Sequence, residues 1–202
     1  MSTFALAASN AVMGPSRSRA HAIARRAILV ISGTLLVAGA AQISIPLPFT
    51  PVPLTGQTFA VLLVGASLGA MDGLLSLALY VLVGAVGAPF FAGGASGWSI
   101  LSGATGGYLI GFVLAAALVG KLAERGWDRS FSSSVAAFLT GSVVIYVAGI
   151  LWLANALDAS PISQEVLIAG LYPFIIGDLI KLYAASALLP SAWKLVNRFT
   201  AR

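Results

Sequence analysis

The 202-residue chain has no cysteine. Disulfides, thiolate nucleophiles and cysteine metal sites are therefore excluded. Its one histidine, His21, lies close to the N-terminus, so neither a histidine-based triad nor a histidine metal cage can form deeper in the chain. Charge is scarce: only 8% of residues are Asp, Glu, Lys or Arg, and six of these are acidic. Within the long apolar stretches the acids reduce to Asp178, with Asp72 at a break. No carboxylate cluster remains for a two-metal centre or a glycosidase pair. No G-x-x-x-x-G-K-[ST] run occurs, which closes that route to ATP hydrolysis.

The apolar residues make up 59% of the chain, with a mean hydropathy of +0.99. A water-soluble domain of this size has no use for so much apolar surface, and the composition predicts an all-α integral membrane protein. The runs are helix-length, unlike the alternating ten-residue strands of an outer-membrane barrel. At ~20 residues per crossing, six transmembrane helices are predicted, over 27–45, 57–71, 73–88, 103–122, 133–157 and 166–189. The second and third come from one stretch interrupted by Asp72, which is placed to cap the third. Residues 1–26 read as a flexible basic tail and 27–202 as a single six-helix membrane domain.

Basic residues gather in three places: Arg17, Arg19, Arg25 and Arg26; Lys121, Arg125 and Arg129; Lys194, Arg198 and Arg202. An even number of spans puts all three on one side, and the positive-inside rule makes that side cytoplasmic, with both termini on it. The loops on the other side carry only Asp158 and Glu165. The net charge of +5 thus orients the chain and gives no signal for nucleic acid. Arg25-Arg26, the apolar run after it and Ala38-Gly39-Ala40 imitate a signal peptide. Cleavage there would leave five spans and place the remaining basic clusters opposite the expected tail.

Asp178 and Lys181 are opposite charges inside one apolar span. A charge at mid-membrane costs roughly 2.5–3.5 kcal/mol on insertion scales, so such residues face the protein interior and serve a purpose. Three residues apart, they share a helical face. They either neutralise each other or offer an acceptor and a donor to a polar ligand. The first external loop, Ile45-Pro46-Leu47-Pro48-Phe49-Thr50-Pro51-Val52-Pro53-Leu54-Thr55-Gly56-Gln57, has a proline-stiffened backbone with apolar side chains. It suits a rigid connector or a lid over a cavity. The second, Pro89-Phe90-Phe91-Ala92-Gly93-Gly94-Ala95-Ser96-Gly97-Trp98, mixes aromatics with glycines that permit close backbone approach. Trp98 is an expected interfacial anchor.

Taken together, these residues resemble the BioY family, the substrate-binding S component of energy-coupling-factor (ECF) biotin transporters. The resemblance rests on Ile45–Pro53, Gln57-Thr58-Phe59-Ala60-Val61-Leu62-Leu63, Pro89 with Phe91-Ala92-Gly93-Gly94, Thr105-Gly106-Gly107-Tyr108-Leu109, Gly111-Phe112, and Gly177-Asp178 with Lys181. Two positions depart from the pattern: Phe90 stands for a smaller aliphatic residue and Ala104 for a proline. The resemblance implies a subunit that binds biotin near the external face, in the cell membrane. It also implies a partner transmembrane coupling subunit and cytoplasmic ATP-binding-cassette ATPases, with no cofactor and no metal. Asp178 can accept from ureido N–H groups and Lys181 can donate to a ligand oxygen. Tyr108, Gln57 and Tyr146 are further polar candidates. Gly93 and Gly94 are candidates for backbone contacts, and Phe49, Val52, Phe90 and Phe91 for apolar walls. Thr34 and Ala38 form a small-xxx-small pair, suited either to internal packing or to docking the coupling subunit. A proton-coupled small-molecule carrier titrating at Asp178, or an S component for another vitamin, are the rival readings.

Overall fold

The computed structural model describes residues 3–14 and 18–200, so Arg17 and Arg202 lie outside the described residues. α1 (Phe4–Met13) forms where the tail was expected to be flexible. Its sequence is uncharged, alanine-rich and free of proline and glycine, which favours helix. Phe4 packs edge-on against Trp193, with ring centroids 5.5 Å apart. Arg25 donates to the Asn10 side-chain oxygen and to the Gly14 carbonyl. The tail is thus folded back onto the membrane domain.

α2 (Arg19–Gln42) starts at a serine cap: the Ser18 side chain accepts from the His21 amide. Gly33, Thr34, Val37, Ala38 and Ala41 are buried. They recur at helical spacing and form one inward stripe. The opposite face, with Ile31, Leu35 and Leu36, is equally apolar but exposed, as a lipid-facing surface requires. Thr34 donates to the Ser76 carbonyl on the neighbouring helix at 2.9 Å. Thr34 and Ala38 are therefore packing residues. They are buried against the chain's own helices and are not on a surface that a partner can reach.

A two-residue ladder follows, β1 (Ser44–Ile45) against β2 (Leu54–Thr55), antiparallel, with Ser44 opposite Thr55 and Ile45 opposite Leu54. The proline loop is strung between these strands. α3 (Gln57–Leu68) and α4 (Ala70–Ala85) are joined by Gly69 alone, at φ 88°. A side chain at Gly69 is disfavoured by that dihedral. Glu124 accepts from the Ala70 amide at 2.9 Å and takes the capping role expected of Asp72. Asp72 instead sits in the first turn of α4 and pairs with Arg26. At 1.5 Å per residue, α3 and α4 are roughly 18 and 24 Å long, short of the ~30 Å hydrocarbon core.

The loop after α4 holds a 3₁₀ turn at Ala92–Gly94 and the short α5 (Trp98–Ser102). α6 (Gly106–Glu124) and α7 (Phe131–Ala156) come next. The expected last span is broken at Leu171 into α8 (Gln164–Gly170) and α9 (Tyr172–Thr200). Among the described residues, four helical segments are long and apolar enough to cross a membrane: α2, α6, α7 and the α8–α9 stretch. α6 is the central one. Its Gly120 lies so close to the Gly69–Ala70 backbone that a Cβ would come within 2.3 Å of it.

Candidate ligand-binding site

A cavity of about 260 Å³ lies between the proline loop, the start of α3, the 91–95 turn, α6, α7 and α9. That is close to the lower end, roughly 300 Å³, of small-molecule sites. Its floor is the first core cluster, which includes Phe112, Ile145 and Phe174. A second cluster, built from Leu62, Val119, Phe138, Leu182, Leu189 and Trp193, packs toward the end where α1 lies.

The polar wall centres on Asp178. Its Oδ1 accepts from Lys181 Nζ at 2.7 Å and from the Thr58 hydroxyl at 2.9 Å. Its Oδ2 accepts from the Tyr146 hydroxyl at 2.7 Å. A carboxylate has about four acceptor positions, so one remains for a ligand. Lys181 is more fully engaged. Besides Asp178 it donates to the Thr55 carbonyl at 2.7 Å and approaches the Thr58 hydroxyl at 3.4 Å. All three ammonium protons have acceptors. The expected free donor at Lys181 is thus committed to neutralising Asp178 and tethering β2.

Seven of the expected residues line this cavity: Asp178, Lys181, Tyr108, Gln57, Val52, Phe91 and Tyr146. The Tyr108 hydroxyl is not free, because it donates to the Gly170 carbonyl at the α8–α9 break, at 2.7 Å. Its ring meets Tyr146 edge-on, 6.5 Å between centroids. Tyr108 therefore forms wall and holds Tyr146, rather than offering a polar contact. Gln57 is buried and hydrogen-bonded to the Tyr80 hydroxyl at 2.7 Å.

Four expected residues fall elsewhere. Phe49 is 58% exposed at the tip of the proline loop. Phe90 stacks on Tyr80 behind the cavity wall, leaving the inner position to its neighbour Phe91, which is packed over Gly84. Gly93 lines an adjacent cleft with Ser44, Leu47 and Thr50. Gly93 and Gly94, at φ 64° and 79°, turn the chain so that the Gly94 amide reaches the Phe91 carbonyl. They shape the loop that carries Phe91.

Thr58 was missed as a site residue. It is one helical step from Gln57 and brings a hydroxyl into the first turn of a mostly apolar α3, which was the available signal. The Thr55 carbonyl, a backbone group, left no signal in residue type.

A family model described as the BioY family matches residues 7–198. The chain belongs to the BioY family. It is 41% identical over 153 residues to the biotin transporter BioY of Thermotoga maritima, covering 76% of this chain and 86% of that one. It is 39% identical over 166 residues to the probable biotin transporter BioY of Pyrococcus horikoshii, covering 82% and 93%. Its fold is that of the S-component for biotin from an ECF-type ABC transporter, with a TM-score of 0.77 at 23% identity, covering 89% of this chain and 95% of that one. Membership in a transporter family and the long apolar helices make this a multi-pass membrane protein.

Proposed function

We propose that this chain is the biotin-capturing S component of an ECF-type transporter in the cell membrane. The observation that carries the reading is the remaining acceptor position on Asp178, inside an apolar cavity of a BioY-family chain. A ureido N–H of biotin is the matching donor. A charge-assisted bond in a dry site is stronger than a neutral one. Phe91, Phe112 and Phe174 supply apolar wall for the thiophane ring. Relatives named as biotin transporters support the choice of ligand over another vitamin.

In this reading the chain crosses the membrane six times, through α2, α3, α4, α6, α7 and α8–α9. Both termini are cytoplasmic, and the proline loop lies outside. The 1–26 segment is a cytoplasmic flank of one membrane domain spanning 27–202. The coupling subunit and the ATPases supply energy that this chain has no phosphate-binding loop to supply. The tightly packed second cluster beneath the cavity favours delivery by movement of the whole subunit over passage through its interior. It also argues against a proton-coupled carrier.

Reconstitution tests this. Alone in proteoliposomes, the chain is expected to bind biotin without accumulating it, whatever the proton gradient. Added coupling subunit and ATPases should make uptake ATP-dependent. Proton-driven accumulation by the chain alone would contradict the proposal.

A further inference from the structure

α3 runs from the cavity, where Gln57 and Thr58 line the wall, to the turn at Gly69. At roughly 18 Å it stops short of the ~30 Å hydrocarbon core, and α4 turns back from the same point. α1 covers the end of this short hairpin. It packs against α3 and α9. Thr3, just before α1, meets the turn itself: a Cβ on Gly69 would come within 2.6 Å of the Thr3 methyl. Ala5 packs on the first core cluster, and Phe4 and Ala7 on the second.

The seat is shallow and leaves polar groups unmet. None of residues 4–12 is fully buried. A helix of ten residues is marginal by itself in water, so α1 depends on this contact. Thr3 stands at the N-cap but makes no cap bond, and its hydroxyl is buried without a partner. Phe4 lies edge-on to Trp193, whose indole N–H donates to Asp128 Oδ2. The other oxygen of that carboxylate, Oδ1, is also buried without a partner. Among the described residues, three buried side-chain atoms are in that state; one belongs to Thr3 and one lies behind the ring on which Phe4 rests. Such atoms are rare and costly. Arg25 ties down the other end of α1, through the Asn10 side chain and the Gly14 carbonyl. Lifting α1 returns the Thr3 hydroxyl to water. The docked and lifted states therefore lie closer in free energy than those of a well-packed helix.

We infer that α1 is an autoinhibitory plug. Docked, it covers the α3–α4 turn and Trp193 from the cytoplasmic side. Lifted, it frees that seat for the transmembrane coupling subunit. The seat takes an uncharged helix of small residues with one aromatic side chain, as α1 itself shows, so the partner is expected to present a helix of that kind. The coupling subunit's apparent affinity is then reduced by the fraction of chains in which α1 is lifted. This inference rests on the topology and the energised partner of the proposed function.

The chain has no cysteine, so a single Ala7→Cys reports on α1 alone. In nanodiscs its labelling by a maleimide is expected to be slow in the free chain. With coupling subunit bound it should be at least about tenfold faster, because local opening exposes the thiol. Phe4→Ala removes the ring contact. It should speed labelling in the Ala7→Cys chain, and in the parent it should tighten coupling-subunit binding roughly 3- to 10-fold, the worth of an aromatic pair. Biotin affinity should not change in Phe4→Ala, which serves as the folding control. If α1 only completes the fold, labelling stays slow with the partner bound, and Phe4→Ala lowers the melting temperature without tightening binding. Either result overturns the inference while leaving the proposed function intact. A coupling subunit that binds neither parent nor Phe4→Ala overturns the partner assignment and the inference together.

Discussion

The Lys181 ammonium donates to the Thr55 carbonyl at 2.7 Å, tying the end of β2 to α9 across 126 positions of sequence. The same ammonium neutralises Asp178. One side chain thus joins the mouth of the proline loop to the carboxylate proposed to hold the ligand.

Lys181→Met should therefore act twice. It strips Asp178 of its counter-charge in a setting where both side chains are mostly covered, 22% and 10% exposed. Removing one partner of a buried pair costs about 3–5 kcal/mol. It also releases β2, so biotin affinity and thermal stability should fall together. Lys181→Arg keeps the charge but not the compact three-donor geometry, and should lie between. Melting curves and titrations on the three proteins check this, and parent-like stability in Lys181→Met would contradict it.

The two tyrosines that meet edge-on in the cavity wall should behave differently. Tyr146 donates to Asp178, so Tyr146→Phe removes a bond to the carboxylate and should weaken biotin by roughly tenfold. Tyr108 donates to the Gly170 backbone. Tyr108→Phe should leave affinity within about threefold while lowering stability by ~1 kcal/mol. Equal losses of affinity in both variants would reject this division of roles.

Much of this was legible in the chain. The apolar run lengths gave the helices, and the isolated charge pair gave the polar wall, because an intramembrane Asp and Lys have few ways to coexist. Residue type was a poorer guide where direction decides the outcome. Phe90 and Phe91 are alike in sequence, and only the turn made by Gly93 and Gly94 sends Phe91 inward. Thr34 and Ala38 carry the small-residue spacing of a docking motif, but a spacing does not say which helix fills it, and here it is the chain's own α4. The capping of α4 by Glu124 joins residues 54 apart and left no local trace.

At the opposite end of the molecule, the turn between α6 and α7 buries Asp128. Burial lifts its carboxyl above the usual value of 3.8, against the lowering effects of the Trp193 N–H, its own backbone amide and Arg129. The folded chain therefore holds this proton more tightly than the unfolded chain. Stability should fall as pH rises from about 3.8 through the raised value, then level off. Asp128→Asn keeps an acceptor for Trp193 and removes that fall. Thermal unfolding of parent and variant from about pH 4 to pH 8 should show the variant gaining relative stability as pH rises. Parallel curves would show that Asp128 does not titrate this way.

Asp178 is proposed to accept from biotin inside a self-sufficient capture subunit. Calorimetric titration of biotin into the purified chain, without partner proteins, tests it most directly when run beside Asp178→Asn. One-to-one binding by the parent is expected. A folded Asp178→Asn protein should lose about 100-fold or more in affinity, as a charged acceptor is replaced by a neutral amide. Unchanged affinity in that variant would show that Asp178 does not hold the ligand.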